Sequence, residues 1–180
     1  MAGVSGKLIA GGIVVAGLIA GIAMYYLQIY AFYEPVPASS PAAQVRLTSV
    51  VSGQPEPVSV AGFEGIDASS SPVRYRACFE VGLSLATLTE TYEIHEDAVP
   101  LVAPGWFDCF DAVAIGTALE RGEAVAFMGQ ENIRYGIDRV IAVFPDGRGY
   151  AWNQINHCGE VVFEGKPAPA DCPPPPPETE

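Results

Sequence analysis

An uncharged apolar run near the N-terminus constrains this chain more than any other feature. Residues 8–33 read LIAGGIVVAGLIAGIAMYYLQIYAFY and contain no charged side chain. A helix needs about 20 predominantly apolar residues to cross the hydrocarbon core of a bilayer. The run therefore predicts a transmembrane helix over 8–33, with a cytoplasmic tip at 1–7 and an outer part from Glu34 onward.

The ends of this run favour a retained anchor over a cleaved signal peptide. A signal peptide has a shorter apolar core that is followed by small residues at the cleavage site. Here the run is longer and ends in Tyr30, Phe32 and Tyr33, which are typical of the membrane–water interface. Because Lys7 is the only basic residue before the run, the positive-inside rule places the N-terminus in the cytoplasm.

Small residues recur along the predicted membrane helix. Gly17 and Gly21 form a GxxxG pair, and Gly12 precedes them. Small residues at this spacing let two helix backbones approach closely, so the pattern predicts packing against a partner helix in the membrane. Glycine and alanine are also common in membrane helices without such a contact, and that alternative stays open.

The outer part is strongly acidic. It holds all 21 acidic residues of the chain and eight of its nine basic ones, which gives a formal charge of −13. Nucleic acids and anionic lipid surfaces are polyanions, so we expect neither of them as a partner. The acidic charge suits a basic protein partner or a cation. Its alternative explanation is that it only keeps the domain soluble.

The four cysteines, Cys78, Cys109, Cys158 and Cys172, all lie in the outer part. An even number of cysteines in an exported domain predicts two disulfides, for which four cysteines allow three connectivities. We expect Cys78 to pair with Cys109, which would tie a strand to a helix. Cys158 would then pair with Cys172 and pin the start of the C-terminal tail. No CxxC motif is present, so thioredoxin-type chemistry and c-type haem attachment are not indicated.

The outer part divides into a Pro-rich linker at 34–43, a folded domain at 44–166 and a Pro-rich acidic tail at 167–180. Alternating or continuous apolar patterns predict strands over 44–51, 58–63, 73–81, 124–128, 137–144 and 149–155. The alternation in 73–81 (VRYRACFEV) indicates a half-buried strand. Pro145–Arg148 (PDGR) predicts a hairpin turn, and GQENIRYG at 129–136 predicts another turn.

Two soluble helices are expected in the same domain. The first covers 84–92, with Ser84 as its N-cap. The second covers 106–121, with Cys109 in its first turn and Gly122 as its stop. Its predicted core-facing stripe consists of Phe107, Phe110, Ala114 and Ala118, with Val113 and Leu119 beside it. Together these elements predict an α+β domain with a mainly antiparallel sheet; the alternative is a β-rich barrel carrying one helix.

Several segments resemble an uncharacterised family of alphaproteobacterial single-pass membrane proteins with a periplasmic cysteine-containing domain. The resemblance rests on YRACF (75–79), WFDCFDA (106–112), NIRYGIDRV (132–140), DGRGYAWNQIN (146–156) and CGE (158–160). The family has no assigned function, so the resemblance implies no catalytic residue. It implies that the anchor lies in the bacterial inner membrane and that the C-terminal domain lies in the periplasm.

Candidate chemistry is sparse. His95 lies in the acidic stretch YEIHEDA with Glu93, Glu96 and Asp97, but the spacing lacks the central glycine of a calcium loop. His157 adjoins Cys158, and neighbours on a strand point to opposite faces, so they do not readily share a metal. Paired carboxylates could come from Glu90, Asp108, Asp111 and Asp138, which surface and helix-end roles also explain. We therefore expect no enzyme, no cofactor and no metal site.

Aromatic and arginine residues point to a binding role instead. Trp106, Trp152, Tyr135 and Tyr150, with Arg134, Arg139 and Arg148, are residue types enriched in interface hot spots. We expect Trp106 in the core, and Arg148, Tyr150 and Trp152 either in the core or at an interface. The leading hypothesis is a membrane-anchored periplasmic interaction protein that serves as an accessory subunit or assembly factor. The alternatives are a small-ligand-binding or sensor module and, third, a hydrolase or redox enzyme.

Overall fold

The computed structural model describes residues 6–176, and its first element is the apolar helix α1 (Gly6–Ile29). None of its side chains is buried, and by length and composition it is able to cross a membrane. An apolar N-terminal helix is therefore confirmed. The predicted cytoplasmic tip lies mostly outside the described residues, as do the last four residues of the predicted tail.

From Glu34 onward the chain forms a second compact unit that is built around one antiparallel sheet. Its order is β1-β4-β5-β8-β7-β6, and a two-stranded sheet, β2-β3, lies beside it. The strands are β1 (Glu34–Pro35), β2 (Arg46–Thr48), β3 (Pro55–Pro57), β4 (Val60–Asp67), β5 (Arg76–Val81), β6 (Val125–Arg134), β7 (Ile137–Val143) and β8 (Arg148–Ile155). The soluble helices are α2 (Leu85–Thr91), α3 (Ala112–Glu120) and α4 (His157–Phe163). The predicted α+β class with a mainly antiparallel sheet is confirmed.

The central strand β5 is buried on both faces, so its prediction as a half-buried strand is wrong. Tyr75, which directly precedes β5, and Phe79 point into the main apolar core, as their alternation predicts. The opposite face is covered by the segment that leads to α3. Arg76 donates to the carbonyls of Leu101 and Val102 there, at 2.7 and 3.2 Å, and is only 3% exposed. Strand alternation cannot reveal a covering loop that comes from elsewhere in the chain.

Residues 34–43 fold onto the domain and do not form the free linker that their prolines predict. β1 pairs with the far end of β4, and the Val36 amide donates to the Gly65 carbonyl at 2.8 Å. A short 3-10 helix at Pro41–Ala43 follows, in which Ala43 is buried. Pro35 lies on the edge strand β1 and Pro41 at the start of this helix, where no backbone N–H is required.

The helix α3 begins six residues later than predicted. Asp111 is its N-cap, and its carboxylate accepts from the amides of Val113 and Ala114, both at 3.0 Å. The residues before it form turns, so Cys109 lies in a loop and not in a helical turn. The predicted stripe fails at Ala114, which is exposed; Ile115 and Ala118 are the buried positions of α3. Gly122, at φ +68°, ends the helix as expected.

The predicted turn at 129–136 is mostly strand, because β6 continues to Arg134 through two register shifts. The chain reverses at Tyr135 and Gly136. Asn132 adopts φ +47° and accepts from the Gly136 amide at 2.9 Å, which lets a non-glycine residue occupy the left-handed region. The hairpin at 145–148 forms as predicted, with Gly147 at φ +92°.

The four cysteines form two disulfides. Cys78 on β5 is bonded to Cys109, and Cys158 in the first turn of α4 is bonded to Cys172. These are the two pairs expected from the sequence, although α4 itself was not predicted. The second bond, together with a 2.9 Å hydrogen bond from the Tyr135 hydroxyl to the Pro173 carbonyl, holds the start of the tail against the domain.

Candidate functional site

An exposed apolar surface surrounds α3. Ile94, Val99, Val102 and Val113 are 49%, 62%, 76% and 75% exposed, although such side chains are usually found inside. Two adjoining depressions of about 540 and 320 Å³ share Ala112 and Val113 and connect these residues. We call this surface, with Ile94, Val99, Val102, Ala112 and Val113, the α3 face.

The charged residues that line the α3 face are all acidic. Glu96 and Glu120 lie at one depression and Asp108 and Asp111 at the other, and among residues 6–176 no lysine or arginine lines either of them. Two of the carboxylates considered for catalysis, Asp108 and Asp111, therefore lie at this face, where Asp111 caps α3. The face combines an apolar centre with an acidic rim.

His95 lies in a second cleft, of about 710 Å³, that is also lined by His157. Its Nε2 atom is 3.1 Å from Nε2 of Gln154, whose Oε1 accepts from the Trp152 ring and from the Val99 amide. Because Oε1 of Gln154 has two N–H donors, its Nε2 is the donor and His95 accepts. His95 thus links the loop at 93–99 to β8, and its Nε2 lone pair is occupied.

His157 lies on the rim of the same cleft, in α4 and not on a strand as predicted. Its Nε2 is 3.7 Å from an oxygen of Asp171, and both side chains are largely exposed. The sulfur of Cys172 lies within 4.8 Å of both groups, but it belongs to a disulfide and has no thiolate to offer a metal. Two exposed groups are fewer than the three or four ligands that zinc requires.

Asp138 serves a structural network at the floor of this cleft. It is 3% exposed, and its Oδ1 accepts from the Asn132 amide and from Nδ2 of Asn156, both at 2.7 Å. Asn156 also caps α4 by accepting from the Gly159 amide at 3.0 Å. The carboxylate therefore ties the turn at the end of β6 to the start of α4. Glu90 lies apart from this network, exposed on α2.

The predicted interface residues separate in the structure. Trp152 is fully buried and packs against Phe110 with the ring centroids 6.3 Å apart, so of its two expected places, core and interface, it occupies the core. Tyr150 is 9% exposed and packs between Phe110 and Phe144. Only Arg148 remains on the surface, where it is paired with Asp146 at 2.7 Å. Trp106, expected in the core, is half-buried.

The membrane-helix glycines do not share one face. At 3.6 residues per turn, Gly17 and Gly21 lie about 40° apart, whereas Gly12 lies about 180° from Gly21. A Cβ atom added at any of the three would meet nothing within 4 Å in the described part of the chain. Gly12 therefore does not extend the GxxxG surface, and the predicted helix contact concerns Gly17 and Gly21.

A third cleft, of about 780 Å³, is lined by Arg46, Arg134 and Arg139. Sequence patterns pointed neither to Arg46 nor to the segment 34–44 as parts of a site. They also missed the α3 face, because AVPLVAP at 98–104 has neither helical nor strand periodicity. One signal was available: this loop contains prolines, so it cannot be a core strand, and its two valines therefore have no place in a strand to explain them.

Comparisons with known proteins identify a family but no characterised relative. No curated protein matches the chain, and no solved structure matches it either. A family model matches residues 45–173, which include both disulfides and most of the residues that line the three clefts. The expected membership of an uncharacterised family is thus confirmed. The chain belongs to DUF6446, a family of unknown function.

Proposed function

We propose that this protein is a membrane-anchored interaction protein, an accessory subunit or assembly factor of a membrane or envelope complex. The observation that carries the proposal is the α3 face, on which Val99, Val102 and Val113 are each more than 60% exposed. Contiguous apolar surface that is rimmed by polar groups is typical of protein–protein interfaces. The rim carboxylates add a preference for a partner segment with apolar side chains flanked by lysine or arginine.

The apolar helix α1 and the two disulfides support a location for this activity at the periplasmic side of the inner membrane. α1 would hold the protein in the inner membrane as a single-pass protein, with the N-terminus in the cytoplasm and the domain in the periplasm. Two disulfides and no free cysteine among residues 6–176 are typical of an oxidising compartment. The Gly17–Gly21 surface would supply a second contact, between α1 and a helix of the same complex.

A paired substitution tests the α3 face directly. Val102→Arg combined with Val113→Arg places two cations where the partner is expected to be basic and apolar. Neither valine side chain is buried, so the folded domain should tolerate the change. Val51→Arg is the matched control, because Val51 is 92% exposed and lies in the turn after β2, outside both depressions.

The measurement is co-purification of tagged full-length protein from its native membranes in a mild detergent. We expect the wild type and the Val51→Arg variant to retain a stoichiometric partner that the double variant loses. Equal recovery of that partner by all three proteins would refute a docking role for the α3 face. A wild-type protein that elutes alone would refute the interaction function as a whole.

A small-ligand-binding module is the second candidate function. It is favoured by a separate observation, the cleft that contains three arginines, and it requires no protein partner. The distinguishing measurement is a thermal shift, because a ligand that binds only the folded state raises the melting temperature. The structure of that cleft also indicates what kind of ligand to test.

A further inference from the structure

The segment 34–44 forms one wall of a cleft that a free linker could not form. It lies beside the ends of β4, β6 and β7, and the volume of this open cleft, about 780 Å³, falls within the usual range of small-molecule sites. We call this space the arginine cleft, after Arg46, Arg134 and Arg139, which line it. Three of the eight basic residues of the outer part therefore meet in one place.

Gly129 explains how two of these arginines come close together. It lies at a register shift between β6 and β7, and a Cβ atom there would be 2.8 Å from the backbone oxygen of Arg139. The same Cβ would be 3.2 Å from the backbone oxygen of Arg46. Only a residue without a side chain lets β2 and β7 approach β6 this closely, so Gly129 brings Arg46 and Arg139 to one cleft.

Arg139 is held in a fixed position by neutral groups only. Its guanidinium lies over the Tyr75 ring, 3.4 Å from the centroid. Its Nε donates to Oδ1 of Asn153 at 2.9 Å, and Nη1 reaches the Ala42 carbonyl at 3.5 Å. Asn153 is itself buried and fixed, because its Nδ2 donates to the Pro72 carbonyl at 2.7 Å. The charged group is therefore pre-positioned.

No carboxylate of residues 6–176 forms an ion pair with Arg139 within 4.0 Å. Burial lowers the pKa of Arg139, which means that its charge has lost hydration. Asp67 lines the same cleft and favours the charged form from a greater distance, while its own Oδ1 accepts from the Ala68 amide. A half-buried cation whose direct contacts are all neutral can still form an ion pair with a bound anion.

The remaining cations of the cleft are also without a carboxylate partner among the described residues. Arg46 donates to Oε1 of Gln44, and Arg134 is exposed and forms no ion pair with any of residues 6–176. Two carboxylates, Glu34 and Asp67, line the cleft against these three arginines. The cleft thus carries a formal charge of +1, although the outer part of the chain as a whole carries −13.

Ser40 supplies an independent observation. Its hydroxyl is buried and has no hydrogen-bond partner in the described part of the chain. It precedes the 3-10 helix in the N-cap position but makes no capping bond. Buried polar groups are nearly always satisfied, and an exception indicates a function or a missing partner. Ser40 lines the arginine cleft, and rotation about its Cα–Cβ bond, which breaks no hydrogen bond, would turn the hydroxyl toward an oxygen of a ligand bound there.

We propose that the arginine cleft binds a small anionic ligand through a phosphate or carboxylate group. Arg139 is the fixed anchor, Arg46 and Arg134 contribute from the open side, and the Ser40 hydroxyl donates to the same group. A planar guanidinium suits this role because it recognises phosphate and carboxylate through two parallel N–H donors. This inference is independent of the α3 face, which lies on other elements.

Thermal unfolding of the full-length protein in a neutral detergent tests the proposal. The probes are inorganic phosphate and citrate at about 10 mM, with sodium chloride adjusted to keep the ionic strength constant. Arg139→Met keeps an unbranched apolar stem over Tyr75 and removes the charge. Arg148→Met is the matched control, because it removes one surface arginine outside the cleft.

We expect at least one probe to raise the melting temperature of the wild type and of Arg148→Met, but not that of Arg139→Met. The affinity of Arg139→Met should be lower by about tenfold or more, as expected for a lost charge-assisted bond. Ser40→Ala separates binding from folding. It removes an unsatisfied hydroxyl, so it should leave the ligand-free protein at least as stable while reducing the shift.

Two results would overturn the proposal: no shift of the wild type with phosphate, citrate or phosphatidylglycerol, or an equal shift in Arg139→Met. A lipid headgroup carries the same phosphate chemistry and is tested by adding phosphatidylglycerol or phosphatidylcholine to the micelle. A shift that requires Arg139 and occurs only with phosphatidylglycerol assigns the cleft to a headgroup. A shift with free phosphate or citrate assigns it to a soluble anion.

Discussion

Arg139 stacks on Tyr75, with the guanidinium carbon 3.4 Å from the centroid of the ring. The Tyr75 hydroxyl donates to the Ala42 carbonyl at 3.0 Å, and Arg139 reaches that same oxygen. The pair therefore ties the segment before β2 to the central strands of the sheet. The same contacts that stabilise the domain therefore also hold the segment that forms one wall of the arginine cleft.

The protonation of Tyr75 predicts how stability changes at alkaline pH. Burial raises the pKa of Tyr75 above its ordinary value of 10.0, and the charge of Arg139 opposes this only in part. Above about pH 10 the unfolded state therefore releases a proton that the folded state still holds. The resulting stabilisation is complete below pH 10 and is lost as the pH rises through the pKa of the folded state.

Tyr75→Phe should remove this pH dependence. At neutral pH the variant should lose about 1 kcal/mol with the hydroxyl bond to Ala42. Above about pH 10 the difference from the wild type should shrink, because the variant has no hydroxyl to ionise. The measurement is chemical unfolding of both full-length proteins across this range. Two curves that stay parallel throughout would contradict the prediction.

The disulfide between Cys158 and Cys172 predicts a second stability effect. It closes a short loop with a sequence separation of 14 residues, which corresponds to about 3 kcal/mol in the chain-entropy model. Replacing both cysteines with serine should lower the free energy of unfolding by about that amount. The Cys78–Cys109 bond closes a longer loop of separation 31, so its removal should cost slightly more, about 4 kcal/mol. A loss of less than about 1 kcal/mol for either pair would contradict the predicted stabilisation by loop closure.

Gly159 packs against the turn that joins β6 and β7, which predicts a clash on substitution. A Cβ at Gly159 would lie 2.2 Å from the carbonyl oxygen of Gly136. Alanine in a helix gains about 1 kcal/mol over glycine, but overpacking against backbone costs about 1–3 kcal/mol. We expect Gly159→Ala to lower the melting temperature. Gly105→Ala is the control and should leave it unchanged, since a Cβ atom there would meet no described residue within 4 Å beyond its chain neighbours.

Local sequence signals predict most elements of the fold. The caps of α2 and the stop of α3, at Ser84 and Gly122, depend on neighbouring residues only and were predicted correctly. The start of α3 was misplaced because Trp106–Phe110 show helical spacing, although their burial comes from tertiary packing. Phe110, for instance, packs against Trp152 of β8. Periodicity alone cannot distinguish these two causes.

The candidate sites were harder to predict, because each one combines distant segments. The arginine cleft requires the fold-back of residues 34–44, and that depends on long-range pairing of Glu34 with Asp67. Its proline content instead predicts an extended linker. Trp152 is a second example: its residue type suits both a core and an interface, and only the sheet order decides, because β8 lies between β5 and β7 and is covered on both faces.

The final prediction concerns α1, where the structure separates two kinds of glycine. Gly21 belongs to the GxxxG surface, whereas Gly12 lies about 180° away on the same helix. Beyond its chain neighbours and the backbone of its own helix, a Cβ atom at either position meets no atom of the described chain within 4 Å, so neither change to isoleucine should disturb the fold. Any difference between the two variants therefore reports on a neighbouring molecule in the membrane.

We expect Gly21→Ile, alone or with Gly17→Ile, to weaken co-purification of a membrane partner, and Gly12→Ile to leave it intact. Helix association in a bilayer depends on close backbone approach, since lipid tails are as apolar as the side chains and supply no hydrophobic drive. A branched side chain on the contact surface separates the two backbones, whereas the same side chain on the opposite face only meets lipid. Loss of the partner in Gly12→Ile as well would indicate a general effect on insertion. Retention in all variants would mean that α1 serves as an anchor and that partner binding depends on the outer domain.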